Sequence, residues 1–99
     1  MSNYTSGKGL EYEVRDAMYE AGAIHVVVSA GSRGCVDLVG LFPEFAMCIQ
    51  CKRGKGKVSR AEMVRLTCLA RKTGRWCNVA VVSKPKRGKA FFEKYIKKA

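Results

Sequence analysis

The sequence predicts an α/β protein: a single domain whose central mixed sheet is flanked by helices. Three observations predict it. Along 99 residues, segments of helical and strand periodicity follow in the order helix, strand, strand, strand, helix, strand, helix. The first three strands are joined by short connections, so they should meander antiparallel. The strand after the second helix follows a helical crossover and can add in parallel. The chain is long enough for one small core and has no linker or internal repeat to divide it, so residues 1–99 read as one domain with a core over about 7–83.

Residues 1–6 form a lead-in. From Gly7 to Ala21, Leu10, Val14, Ala17, Met18 and Ala21 recur at helical spacing, and Gly22 is a good helix stop. Ile24 to Val28 is strongly β-branched and reads as a strand. Ser29 to Gly34 is a loop of small residues. Val36 to Leu41 and Phe45 to Lys52 form a hairpin turning at Pro43-Glu44, and Arg53 to Lys57 is a basic loop. Ser59-Arg60-Ala61-Glu62 is a capping-box signature opening a helix that carries Met63, Val64, Leu66, Thr67, Leu69 and Ala70 and stops at Gly74. Cys77 to Val82 is mostly apolar, as a buried strand is. Lys84 to Lys89 is a basic turn, and a short C-terminal helix is expected over about 89–98 with Phe91, Phe92, Tyr95 and Ile96 facing inward.

Charge narrows the function. The net charge is +11, but residues 1–50 hold 3 basic and 6 acidic side chains while residues 51–99 hold 16 basic and 2 acidic. Such asymmetry points to a polyanion, and nucleic acid outranks an acidic lipid surface because no amphipathic membrane helix is evident. Binding should be salt-sensitive. Arg53, Lys55 and Lys57 in one loop and Lys84, Lys86 and Arg87 in another are the phosphate-contact candidates. No apolar run approaches a membrane span, and Met1 to Thr5 lacks the apolar stretch of a signal peptide, so a cytoplasmic or nucleoid location is expected. Five cysteines, an odd number, read as reduced thiols; Cys48 and Cys51, three apart on a strand, should face opposite sides, which argues against a shared zinc.

The most informative residues are Asp37, Gln50 and Lys52. Strand alternation puts Gln50 and Lys52 on one face. A turn at Pro43-Glu44 sets Asp37 opposite Gln50. An acid, an amide oxygen and an amine on one patch are the groups that Mg²⁺-assisted phosphodiester hydrolysis uses. Aspartate is disfavoured in strands, and Asp37 stands among Val36, Leu38 and Val39, so a purely structural role explains it poorly. Lys52 is less distinctive, since basic residues fill the next loop. His25, within a β-branched strand, reads as structural, and Tyr12 and Trp76 as packing residues that could also stack on bases.

With Asp on the second strand and Gln-x-Lys on the third, this αβββαβ order resembles the restriction-endonuclease-like core of the PD-(D/E)XK nuclease superfamily. Within it, Gly7-Lys8-Gly9-Leu10-Glu11-Tyr12-Glu13-Val14 and Ser29-Ala30-Gly31-Ser32-Arg33-Gly34-Cys35-Val36-Asp37-Leu38-Val39 look like the opening G-x-x-x-E helix and the A-G-S…D segment of archaeal-type Holliday junction resolvases. Lys57-Val58-Ser59, leading into a helix, is similar to the stand-alone VRR-NUC nucleases of viruses, which keeps a virus-encoded protein acting in the host cytoplasm open.

The resemblance implies roles. Asp37 would be the central metal ligand, Gln50 would stand at the usual Glu position, and the main-chain carbonyl of Cys51 would be a further ligand. Glu11 would support the metal directly or through water. Ser32 would sit at the mouth of the site against the substrate phosphate or a water on the metal, with Arg33 beside it for nucleic-acid contact. Lys52 would orient or activate the attacking water and offset phosphate charge. The cofactor implied is Mg²⁺, with Mn²⁺ able to substitute, and no small-molecule cofactor or membrane is expected. The implied activity is that of a metal-dependent endodeoxyribonuclease cutting branched DNA, above all four-way junctions, as a homodimer.

Two departures stand out. Cys35-Val36 replaces a proline that many members carry before the aspartate, and Gln50 replaces glutamate and so removes one negative charge. Metal affinity should fall accordingly. A VRR-NUC-type or nicking nuclease and a non-catalytic basic DNA- or RNA-binding module are the rival readings. A ribosome-associated basic protein would leave the acid–amide–lysine patch unexplained.

Overall fold

The computed structural model describes residues 9–29, 36–53, 57–84 and 91–96, with the backbone alone for Arg53 and 91–95. Helix α1 spans Gly9–Glu20, and strands β1, His25–Val28, and β2, Leu38–Leu41, follow. Strand β3 is Ala46–Arg53, helix α2 is Arg60–Lys72, β4 is Cys77–Lys84 and β5 is Phe91–Tyr95. The strands lie in the order β1-β2-β3-β4-β5 in one sheet. β1, β2 and β3 meander antiparallel, β3 and β4 are parallel across the α2 crossover, and β5 returns antiparallel to β4. This is the mixed sheet the sequence predicts.

Leu10, Val14 and Met18 form the buried stripe of α1, one turn apart. Ala17 and Ala21, expected on that stripe, are exposed instead. The helix ends in a Schellman arrangement. Ala23 N–H donates to Met18 C=O at 2.9 Å, Gly22 N–H donates to Tyr19 C=O at 3.1 Å, and Gly22 takes φ +112°. At Gly40 a Cβ would run into the Met18 methyl, the far end of a flexible side chain that would have to turn aside. Helix α2 opens with the predicted capping box: the Ser59 hydroxyl accepts from Glu62 N–H, and the Glu62 carboxylate accepts from Ser59 N–H.

The sheet divides the core into two layers. On one side Leu10, Val14 and Met18 pack with Val26, Leu38, Ile49 and Val82; on the other Leu66 and Ala70 pack with Ala46, Cys48, Cys77, Val79, Val81 and Ile96. Cys48 belongs to the α2 layer and Cys51 packs against the α1 layer, so the two thiols face opposite sides. The Cys48 and Cys77 thiols, not joined in a disulfide, are in contact across β3 and β4, Sγ to Sγ 3.6 Å. Leu66, fully buried, anchors α2. Leu66→Ala is expected to cost about 2–5 kcal/mol, read as a lower denaturant midpoint at unchanged slope.

The C-terminal segment departs from expectation. The helix expected over 89–98 is instead strand β5, Phe91–Tyr95, extended by an Ile96 N–H to Val79 C=O bond of 2.8 Å. Phe91, Phe92 and Tyr95 carry strand propensity as well as a helical stripe. The deciding term is long-range: without β5, the buried strand β4 would present a row of unpaired N–H and C=O groups at a sheet edge.

Candidate active site

The β2–β3 register runs from Leu38↔Ile49 to Leu41↔Ala46, which is the pairing a turn at Pro43-Glu44 demands. One residue before β2 the ladder slips. Asp37 N–H donates to Ile49 C=O at 2.8 Å, while Asp37 C=O accepts from Ser29 N–H of the β1 side at 2.8 Å. In a regular strand both groups of one residue point the same way, so Asp37 sits at a local break. Its carboxylate then takes over the ladder: Oδ2 accepts the Cys51 N–H at 2.8 Å, where a continuing β2 strand would have offered a carbonyl. Asp37 is thereby held beside β3, in the partly buried space between Ile49 and Cys51. Among the described residues its Oδ1 accepts no hydrogen bond.

Gln50 and Lys52 alternate with Ile49 and Cys51 and so share the α2 side of β3 with Cys48. Lys52 reaches helix α2. Its ammonium donates to both carboxylate oxygens of Glu62 at 2.7 Å, with the two side chains 19% and 26% exposed. Glu11 arrives from the other layer, on the first turn of α1. Its Oε1 is buried and has no hydrogen-bond partner among the described residues. Cys51, whose N–H serves Asp37, pairs with Val82 across the parallel ladder. The structure thus brings Asp37, Gln50, Cys51 and Lys52 to one end of β3, with Glu11 on the opposite helix layer. Ser32 and Arg33 lie outside the described residues.

An oxygen-seeking cation fits what is present. Glu11 Oε1, buried without a donor among the described residues, and Asp37 Oδ1 are hard oxygen atoms of the kind a divalent cation takes. Among the described residues no group of three His, Cys, Asp or Glu is assembled for a metal.

Of the basic candidates, Lys57 is exposed, and Lys84 is paired with Glu13, Nζ to Oε1 2.6 Å. Lys55, Lys86 and Arg87 and the side chain of Arg53 lie outside the described residues. Arg60, Arg65, Arg71 and Lys72 are exposed on α2; they were visible in the sequence only as part of the charge of the C-terminal half. His25 is exposed on strand β1 and Trp76 in the turn before β4. The apolar groove along α2, lined by Val58, Met63, Val64 and Thr67, contains none of the Asp37 cluster. Among the described residues no helix is long and apolar enough to cross a membrane.

Sequence reasoning missed Glu62 as a site neighbour, because the capping box already accounted for it. The Lys52 ammonium, and next the Ser59 N–H, hold its carboxyl below the usual glutamate range, outweighing the upward push of burial. A lowered folded value stabilises the fold above the unfolded value, and the contribution is lost as pH falls through the folded one. The thermal midpoint should therefore drop on acidification below the normal glutamate range. Lys52→Met should remove the ion-pair share of that drop, about 1 kcal/mol or less for a partly exposed pair.

With this geometry in view, a solved structure supplies the comparison. The Holliday junction resolvase Hjc of the archaeal hyperthermophile Archaeoglobus fulgidus superposes with a TM-score of 0.70, over 89% of this chain and 71% of that one, at 24% identity. This chain shares the α/β fold of that archaeal resolvase. No protein-family model matches the sequence, and no curated protein does. The resolvase-like order of elements is what places an acid at the mouth of β2 beside the end of β3.

Proposed function

We propose that this protein is a metal-dependent endonuclease of branched DNA whose substrate is the four-way junction. The observation that carries the reading is the Asp37 carboxylate, fixed by the Cys51 N–H at 2.8 Å with its second oxygen open, beside the β3 segment that bears Gln50 and Lys52. The resolvase fold and the basic C-terminal half support junction DNA as the ligand. Asp37, the Gln50 amide oxygen, the Cys51 carbonyl and Glu11 would hold Mg²⁺, or Mn²⁺ in its place. When bound, the cation supplies Lewis-acid polarisation of the phosphate and a more acidic water. Lys52 offsets charge developing on the phosphate. Ser32 would meet the phosphate, and Arg33, Arg53, Lys55, Lys57, Lys84, Lys86 and Arg87 would contact the backbone. Resolution needs two symmetric cuts, which a two-fold homodimer provides.

The test is cleavage of a labelled four-way junction against its linear duplex, with Mg²⁺, Mn²⁺ or EDTA. Paired, metal-dependent nicks in the junction alone are expected. Equal cutting of both substrates would keep the nuclease and remove the junction. Tight binding without cutting under either metal would make the chain a binding protein.

A further inference from the structure

The strand residues of the candidate site do not add up to a cation site by charge. Asp37 contributes one negative charge, Lys52 one positive, and Gln50 none, so the three together are neutral. A divalent cation in a hard-oxygen site is held chiefly by carboxylate charge. Glu11 brings one further carboxylate from α1, and a second stands on α2. Glu62 stands in the first turn of α2 and reaches across to the Gln50–Lys52 side of β3, both of its oxygens 2.7 Å from the Lys52 ammonium. Helix capping does not require this. Gln closes a capping box as well as Glu does, through the same bond to the Ser59 N–H, here 2.9 Å. What a glutamate adds is a full negative charge, and it is directed at the proposed site's lysine rather than at solvent.

We propose that Glu62, arriving from α2, supplies the carboxylate charge that Gln50 lacks, so that divalent-cation affinity and the placement of Lys52 both depend on it. This rests on the nuclease reading above. Glu62 neutralises the Lys52 ammonium, which would otherwise repel a cation beside Asp37, and restricts the amine to the α2 side of β3. Position 50 can then be a neutral amide, because its charge has moved to position 62 on the same side of the sheet. Glu62 is a positioning residue for Lys52 and a charge partner of the cation.

The experiment measures Mn²⁺ binding by calorimetry on the intact chain, with folding followed by circular dichroism, for wild type, Asp37→Ala, Glu62→Gln, Ser59→Ala and the exchange variant Gln50→Glu/Glu62→Gln. Glu62→Gln keeps the cap and should weaken Mn²⁺ by about 10–100-fold, the usual scale for an outer-shell partner. The exchange variant should recover most of that loss, because it restores a carboxylate at position 50. Ser59→Ala should loosen the helix start and leave Mn²⁺ affinity unchanged. Wild-type affinity in Glu62→Gln, with Asp37→Ala defective, would overturn the role of Glu62 and leave the nuclease reading standing. An equal loss in Ser59→Ala would reduce Glu62 to its cap, and no recovery in the exchange variant would overturn the claim that position 62 carries the charge that position 50 lacks. A wild-type chain that takes up no Mn²⁺ would overturn both.

Discussion

Asp37→Asn is expected to abolish junction cleavage, by about a thousandfold or more on the scale of a lost electrostatic group at a reacting centre, while the protein stays folded and bound to DNA. The two halves of that expectation come from the two oxygens of the side chain. Oδ2 is structural: it accepts the Cys51 N–H at 2.8 Å where the β2–β3 ladder breaks. An asparagine carbonyl can accept the same bond, so the fold should lose little. Asp37→Ala leaves that N–H without its acceptor, and a further loss of about 1–3 kcal/mol is expected if water does not replace it. Oδ1 and the negative charge are the functional half, and both variants remove them. DNA binding should persist in each, and could only gain from the loss of a negative charge near phosphate. Gel-shift affinity, thermal midpoint and nick yield measured on the same samples separate these effects. Wild-type nicking by Asp37→Asn would sink the proposed chemistry whatever the binding data show.

Much of the architecture was legible because local signals and global packing agree. Pro43-Glu44 turns the hairpin, and that turn alone sets Leu38 against Ile49. Ser59 to Glu62 announces the start of α2, and the capping box forms as written. The alternation of Ile49, Gln50, Cys51 and Lys52 assigns their faces without tertiary information. Three features were not legible, each because a long-range term decides it. The segment at Phe91 reads equally as a helix stripe or a strand until β4 is known to need an edge partner. The slip at Asp37 depends on how β2 diverges from β3, not on any residue preference. Glu62 lies ten residues from Lys52, and only the placing of the first turn of α2 beside the end of β3 makes them neighbours. The part of Glu11 in the site was likewise inferred from a motif; the folded chain carries Glu11 on the opposite helix layer, with an oxygen that is buried and has no hydrogen-bond partner among the described residues.

Lys52→Met should lower the cleavage rate by about 10²–10⁴-fold, the range for a group that orients or assists proton transfer, yet leave Mn²⁺ affinity unchanged or tighter. The reasoning turns on sign. Lys52 brings a positive charge to a place where a cation is to bind, so removing it cannot weaken the cation by electrostatics. If Lys52 acts on the phosphate or on the attacking water, its loss falls on kcat and spares metal binding. Removing Asp37 instead strikes both. Methionine keeps the aliphatic bulk against α2, and the cost to the fold should stay near that of one partly exposed ion pair, about 1 kcal/mol or less. The Glu62 carboxylate, released from the ammonium, also titrates closer to its ordinary range, so the stability–pH curve reports whether the pair was broken as intended. Lys52→Arg sharpens the comparison. It keeps the charge for Glu62 but substitutes a planar, permanently protonated fork for a compact amine. If Lys52 contributes charge alone, arginine should restore most of the rate; if the amine must meet one oxygen in one position, arginine should restore the ion pair and leave cleavage low. Equal losses of metal binding and cleavage in Lys52→Met would instead make Lys52 a prop for α2, and the chemistry would have to be assigned to Asp37 and its cation without an amine.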